Sequence, residues 1–349
     1  MGSKNIWISH TSIVDFENCS RLYYFKNIYR SPNNGNRVQI VNPYLSLGSA
    51  VHEAIDGLLD ISPSRRSGSL LLRRYEQGWR NYSGKKGGFV SGKQEGEFKK
   101  RGELMLKRVE GSSLLKGRAL KRNDDLPKMN LFNNVNLVGS FDWVEILSDN
   151  SLHIVDFKTG RKEEKHESLQ LPIYNILARE TYERKIKRLS YWYLDRDLRP
   201  TSQKIGRRED ALQKIKEKAE KIQAAVNKSN FSCSSQYQRC FWCRNYEGIV
   251  SGKAEYVGID PKMKRDLYFL ANGEGVLKKI YDGKFLNKTE KHILRTRMDG
   301  GSSNELKMSK KEIRESVSGI KLKVKKHLTP KELRIFVEEL SKNKNSFNL

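Results

Sequence analysis

The clearest alternation of apolar and polar positions lies between residues 137 and 158. Leu137, Val138, Phe141, Trp143, Val144, Ile146 and Leu147 precede the polar trio Ser148-Asp149-Asn150, and Leu152, Ile154, Val155 and Phe157 follow it. Two apolar runs about a turn-forming trio predict a β-hairpin. With the turn centred on Asp149, position 142 faces position 156, because the two lie equally far from the centre. Side chains two apart on a strand share a face, so Asp156 and Lys158 project together while Phe157 points into the opposite layer.

Helical spacing governs much of the remainder. Leu47, Val51, Ile55 and Leu58 recur at helical intervals over 44–60, and Leu212, Ile215, Ala219, Ile222 and Val226 form one stripe over 208–228. Helices are also predicted over 6–30 and 167–183; in the second, Pro172 fits only a first turn that begins near Glu167 or Ser168. Residues 61–130 read as a helical, basic insertion with the Gly-rich stretch Gly84-Lys85-Lys86-Gly87-Gly88, and 188–195 as a buried strand. This alternation predicts a mixed α/β core with helices packed on a central sheet. Towards the C-terminus, Ser309 with Glu312 and Thr329 with Glu332 carry the capping-box pattern of helix starts. Between them, Ile320-Lys321-Leu322-Lys323-Val324-Lys325-Lys326 alternates as a short strand would.

The hairpin also carries candidate chemistry. Like charges directly opposed across an antiparallel pair are destabilising unless something neutralises them. A divalent cation does so, and oxygen ligands on a partly open site suit Mg²⁺ or Mn²⁺. Lys158 beside the two acids could hold an attacking water or stabilise charge building on a phosphate. A D-x-K tripeptide alone is weak and reads first as a solvated surface hairpin, so the decision falls to its companions.

Those companions occur in a fixed order. Ser12-Ile13-Val14-Asp15-Phe16-Glu17-Asn18-Cys19 and Arg21-Leu22-Tyr23-Tyr24-Phe25 come first, then Gly48-Ser49-Ala50-Val51-His52, Asp142, Asp156-Phe157-Lys158, and Gln170 with Tyr174. Over roughly residues 6–250 the chain resembles the PD-(D/E)XK nuclease superfamily, specifically its RecB/AddB-like branch, which includes the CRISPR-associated adaptation exonuclease. The resemblance implies a restriction-endonuclease-like α/β fold. It further implies a metal held by His52, Asp142, Asp156 and the Phe157 backbone carbonyl, with Asp142, Asp156, Lys158, Gln170 and Tyr174 serving catalysis. No proline precedes Asp142, a departure from the superfamily pattern. Without the resemblance, His52 beside its apolar stripe reads as a packed or solvated histidine and Tyr174 as core. Gln170 and Tyr174, four apart, share a helix face.

Charge narrows the partner class. Lys plus Arg number 67 against 41 Asp plus Glu, a formal +26, and residues 251–349 hold 23 basic against 13 acidic residues, so the excess is not confined to one end. Distributed positive charge suits phosphate contacts with DNA. No stretch approaches the roughly 18–20 apolar residues that span a bilayer, and the N-terminus lacks an apolar signal core. No membrane partner and a cytoplasmic location are therefore expected. The chain has no G-x-x-x-x-G-K-[ST] loop, so ATP-driven unwinding would come from another protein.

The cysteines form a second constellation: Cys19, then Cys233, Cys240 and Cys243, the latter three framed by Phe231, Tyr237, Phe241, Trp242 and Tyr246. Disulfides are disfavoured in a reducing cytosol. Iron–sulfur members of the family clamp a [4Fe–4S] cluster with one early cysteine and a late trio, and four thiolates here would satisfy it. Relatives place the last ligand about six residues beyond the C-x2-C pair, where this chain has Ile249 and Val250; Cys233 is the candidate substitute. Structural Zn²⁺ accepts the same four thiolates, and buried packing thiols remain the third reading.

The expected organisation is a nuclease domain over 1–255, with its helical insertion near 61–130 and a Cys-rich closing segment over 231–250. Residues 256–349 follow as a basic extension, either a solvated appendage or a small DNA- or partner-binding module. The expected function is a Mg²⁺/Mn²⁺-dependent deoxyribonuclease, an exonuclease or end-processing enzyme of repair, recombination or mobile-element defence, acting on single-stranded DNA or duplex ends. The alternative is a non-cleaving DNA-binding scaffold on the same fold that partners a helicase. The intact set His52, Asp142, Asp156 and Lys158 favours the enzyme.

Overall fold

The hairpin is present with the predicted register in a computed structural model that describes residues 5–121, 125–160, 162–165, 167–204, 206–233, 240, 242–260, 262–270, 280–281, 283–298, 306 and 308–341. Trp143 pairs with Val155, Val144 with Ile154, Glu145 with His153 and Ile146 with Leu152, so the pairing is centred on Asp149. The turn closes through Asp149, whose carboxylate accepts the Ser151 N–H at 3.1 Å, and Asn150 takes a left-handed φ of 64°. Asparagine tolerates that conformation better than most residues, which is why the reversal falls here.

Two compact units divide the chain: residues 1–15 with 41–230, and residues 16–40 with 231–349. The first contains a five-stranded mixed sheet in the order Arg118–Ala119, Trp143–Ile146, Leu152–Lys158, Ile186–Tyr193, Thr201–Gln203. Strand Leu152–Lys158 runs antiparallel to Trp143–Ile146 and parallel to Ile186–Tyr193. Parallel neighbours need a crossover, supplied by the helix Gln170–Thr181. A second sheet of three strands joins Ile6–Ile8, Val135–Val138 and Lys128–Phe132.

The faces of the central strand separate by period two. Val155 and Phe157 join Trp143, Trp192 and Leu194 in one buried cluster with Leu47, Val51, Ile55, Leu71, Met105 and Leu106 from helices Pro43–Asp56, Gly68–Trp79 and Gly92–Glu110. Asp156 and Lys158 project the other way, towards helix Gln170–Thr181. That helix can approach closely because residue 139 is glycine: a Cβ there would lie 2.7 Å from Leu177 Cδ1.

Several sequence expectations are corrected. The segment expected to be helical over 6–30 opens with the strand Ile6–Ile8 before helix His10–Asn18, because Ile6 and Ile8 are buried and Trp7 is exposed, a two-residue period too short to register against the helix beyond it. The insertion is helical only to Lys116; its last part supplies strands Arg118–Ala119 and Lys128–Phe132. The crossover helix starts at Gln170, later than Glu167 or Ser168, with Pro172 still inside its first turn.

The second unit has a three-stranded sheet ordered Glu255–Asp260, Arg265–Phe269, Arg37–Ile40. Buried Asp266 anchors it by accepting from Asn34 Nδ2 at 2.9 and 3.0 Å and from Asn36 Nδ2 at 2.9 Å. Helices Lys288–Met298, Lys310–Lys325 and Pro330–Ser341 share a core of Ile293, Leu294, Ile313, Val317, Ile320, Val324 and Phe336. The strand expected over 320–326 is therefore helix. Ile313, Val317, Ile320 and Val324 recur at three- and four-residue steps, and Leu322, which the alternation would have buried, is 65% exposed. Both capping boxes form: Glu312 and Glu332 each accept the N-cap backbone N–H at 2.8 Å, from Ser309 and Thr329. No described helix is long and apolar enough to cross a membrane.

Candidate active site

The site is built from four segments of the first unit. Helix Pro43–Asp56 brings His52, the start of the hairpin brings Asp142, strand Leu152–Lys158 brings Asp156 and Lys158, and helix Gln170–Thr181 brings Gln170 and Tyr174. All six predicted side chains converge. Gly48 lets the first of these helices pass close to the end of the central strand, since a Cβ at that position would meet Thr159 Oγ1 at 3.2 Å.

His52 Nδ1 lies 3.2 Å from Asp142 Oδ1, and Asp142 Oδ2 accepts the Phe157 N–H at 2.9 Å. Phe157, whose carbonyl is the remaining predicted ligand, is thereby tied to the first acid through its own amide. Asp156 Oδ1 accepts from Gln170 Nε2 at 2.7 Å and from the Tyr174 hydroxyl at 3.1 Å. Its other oxygen, Oδ2, is buried without a well-directed hydrogen bond and has the Lys158 ammonium 3.0 Å away. A buried carboxylate oxygen with spare lone pairs, next to a second carboxylate and an imidazole, is a donor set that fits Mg²⁺ or Mn²⁺.

Electrostatics pull the two acids apart. Burial and then the charge of Asp142 push the Asp156 carboxyl up to about 6, against the opposing pull of Lys158. Burial would raise Asp142 also, but the charge and hydrogen bond of His52, followed by the Phe157 N–H, hold it below its usual value. Desolvation lowers the His52 imidazole, yet Asp142 outweighs it and the net shift is upward. Burial likewise works against the Lys158 ammonium, which Asp156 and Glu164 nevertheless hold above its ordinary value. Burial pushes the Tyr174 phenol well up, so it remains a neutral donor to Asp156.

Three further groups support the site. Glu164 Oε1 lies 3.2 Å from Lys158 Nζ, and its backbone N–H donates to the Tyr193 hydroxyl at 2.7 Å. Tyr191 places its ring 5.1 Å from the same ammonium. Arg101, from the insertion, donates to the Thr159 carbonyl at 3.0 Å while paired with Asp195 at 3.0 Å. Glu164 sits in a charged stretch with no spacing signature, and Arg101 is distant in sequence, so neither is visible without the chain path.

In the second unit, Cys19, Cys233, Cys240 and Cys243 come together in a group that could hold a metal ion, packed with Leu22 and Phe25. Tyr237 and Phe241, expected to frame the trio, lie outside the described residues; Phe231 stacks near Tyr23 and Tyr24, and Tyr246 against Phe25.

A search among curated proteins returns no significant match. The family model of the PD-(D/E)XK nuclease superfamily matches residues 7–246, well over half of the chain and inclusive of every site residue from Cys19 to Cys243. With its mixed α/β architecture, flanking helices and that match, the chain belongs to the PD-(D/E)XK nuclease superfamily.

Proposed function

We propose that this protein is a Mg²⁺- or Mn²⁺-dependent deoxyribonuclease of the RecB/AddB-like branch, an exonuclease or end-processing enzyme of DNA repair, recombination or mobile-element defence. The observation that supports it most is the meeting of Asp142 and Asp156 at the open end of one hairpin, with the Lys158 ammonium 3.0 Å from the second acid. A binding module has no need of two acids at one point. His52, Asp142, Asp156 and the Phe157 carbonyl would hold the cation, which when bound polarises a phosphate and makes a water nucleophilic. Lys158 is placed to orient that water or to neutralise charge developing on the phosphate. Gln170 and Tyr174 fix the rotamer of Asp156 by donating to one oxygen, leaving the other for ligation.

The formal charge of +26 supports DNA as the substrate, with single strands or duplex ends as the form taken. A helicase or other repair or defence protein would supply unwinding in the cytoplasm. The test is cleavage of labelled single-stranded and duplex DNA with Mg²⁺ or Mn²⁺, with Asp156→Ala and Lys158→Ala expected to bind DNA and not cut it. Wild-type protein that binds both substrates and cuts neither across several divalent metals would establish the non-cleaving scaffold instead.

A further inference from the structure

We infer that Cys19, Cys233, Cys240 and Cys243 hold one zinc ion and not the iron–sulfur cubane that the family resemblance implies. The Sγ atoms of Cys233 and Cys243 are 3.5 Å apart, those of Cys240 and Cys243 3.7 Å, and those of Cys19 and Cys233 4.0 Å. No separation among the four exceeds 4.8 Å. Four thiolates about 2.3 Å from one zinc stand about 3.8 Å from one another, the edge of a tetrahedron. A [4Fe–4S] cubane interposes four irons between its cysteines and spreads their sulfurs to about 6 Å or more. The cradle matches the first figure and is too small for the second.

The surroundings suit a closed, structural centre. Cys19, Cys240 and Cys243 are buried, and Leu22 and Phe25 pack over them. The Cys240 backbone N–H donates to Cys233 Sγ at 3.2 Å, which helps hold that sulfur beside the other three. Arg21, ion-paired with Glu247, lies beside Cys243 and Cys233. Ligation by four cysteines leaves no open position for a substrate, so the ion acts on folding. It joins segments 214 residues apart in sequence, which restricts the unfolded chain.

Full-length protein purified without chelator or added metal is expected to be colourless and to carry one zinc per chain by plasma mass spectrometry. Exchange with Co²⁺ is expected to give the intense visible bands near about 700 nm that mark tetrahedral thiolate coordination. Asp156→Ala should keep its zinc, so failure of the nuclease reading and failure of this one are separately visible. Cys243→Ser should lower zinc occupancy at least about tenfold; if that variant does not fold, wild-type metal content and the cobalt spectrum decide. Iron with acid-labile sulfide and broad absorption near about 400 nm in anaerobically purified protein overturns the inference in favour of the cubane. Protein with neither metal overturns it in favour of packed thiols.

Discussion

The Phe157 N–H donates to the Asp142 carboxylate at 2.9 Å, which locks the acid on one arm of the hairpin to the strand that carries the other. Asp142 sits one residue before its strand begins, so this bond and the 3.2 Å contact to His52 define its position. Asp142→Asn should keep an oxygen for the amide while losing the charge. Its melting temperature is expected to stay near wild type while metal-dependent cleavage falls by roughly 10³-fold, as removal of a main electrostatic contributor does. Circular dichroism melts alongside cleavage rates check both halves.

Tyr174→Phe removes one of the two donors to Asp156 Oδ1 and leaves the Gln170 amide. Loss of a hydrogen bond that orients a metal ligand costs about 10–100-fold in metal affinity or activity. Gln170→Ala should cost more, because Gln170 also accepts from Lys158 and donates to Tyr174 at 3.2 Å. Titrating activity against Mn²⁺ separates the effects: weaker metal binding raises the half-saturating concentration, whereas a misplaced lysine lowers the plateau.

Glu164 shares the Lys158 ammonium with Asp156 and Gln170. If Asp156 ligates a cation as proposed, Glu164 would become the principal negative partner of the lysine. Glu164→Gln is therefore expected to lower kcat by about tenfold, the effect of a lost positioning contact. KM for DNA should hold or fall, since a negative charge is gone from the approach of an anion. Steady-state kinetics on a short labelled strand gives both; an unchanged kcat with a raised KM would place Glu164 in substrate binding.

Asp156, raised to about 6, would make the proposed metal binding dependent on pH. Below that value a proton competes for the carboxylate, and the upward shift of His52 acts in the same direction. Mn²⁺ affinity should fall as pH drops from 7.5 through about 6, with proton release on binding seen by calorimetry in buffers of different ionisation enthalpy. The stability effect of Asp156 in metal-free protein has the opposite sense. An unfolded aspartate ionises near about 4, so its raised native value stabilises fully below that pH, and the contribution is lost as pH rises to about 6.

Ile320 and Leu322 report directly on the helix Lys310–Lys325. Ile320 is fully buried and Leu322 is 65% exposed. Ile320→Ala should cost roughly 2–4 kcal/mol by denaturant unfolding, as large-to-small core changes do. Leu322→Ala should stay within about 0.5 kcal/mol, the range of surface substitutions. In a strand the two side chains would share one buried face, and both substitutions would be costly.

The sequence by itself determined the hairpin, its register about Asp149, the shared face of Asp156 and Lys158, the face shared by Gln170 and Tyr174, and both capping boxes. Each is a local pattern, written in spacings of two, three or four residues along one segment of chain. Where the run is short the pattern misleads. Ile6–Ile8 has too few residues to display a strand period, and the apolar-basic alternation of 320–326 satisfies two periods at once until the partners of Ile313 and Val317 choose between them. Only the tertiary structure brought Glu164 to Lys158, Arg101 to the Thr159 carbonyl, and Cys19 within 4.0 Å of Cys233 across 214 residues of sequence. Those contacts depend on the path of the chain between them, and no local spacing encodes it; the size of the cysteine cradle, on which the zinc inference rests, is a distance and so exists only in the folded protein.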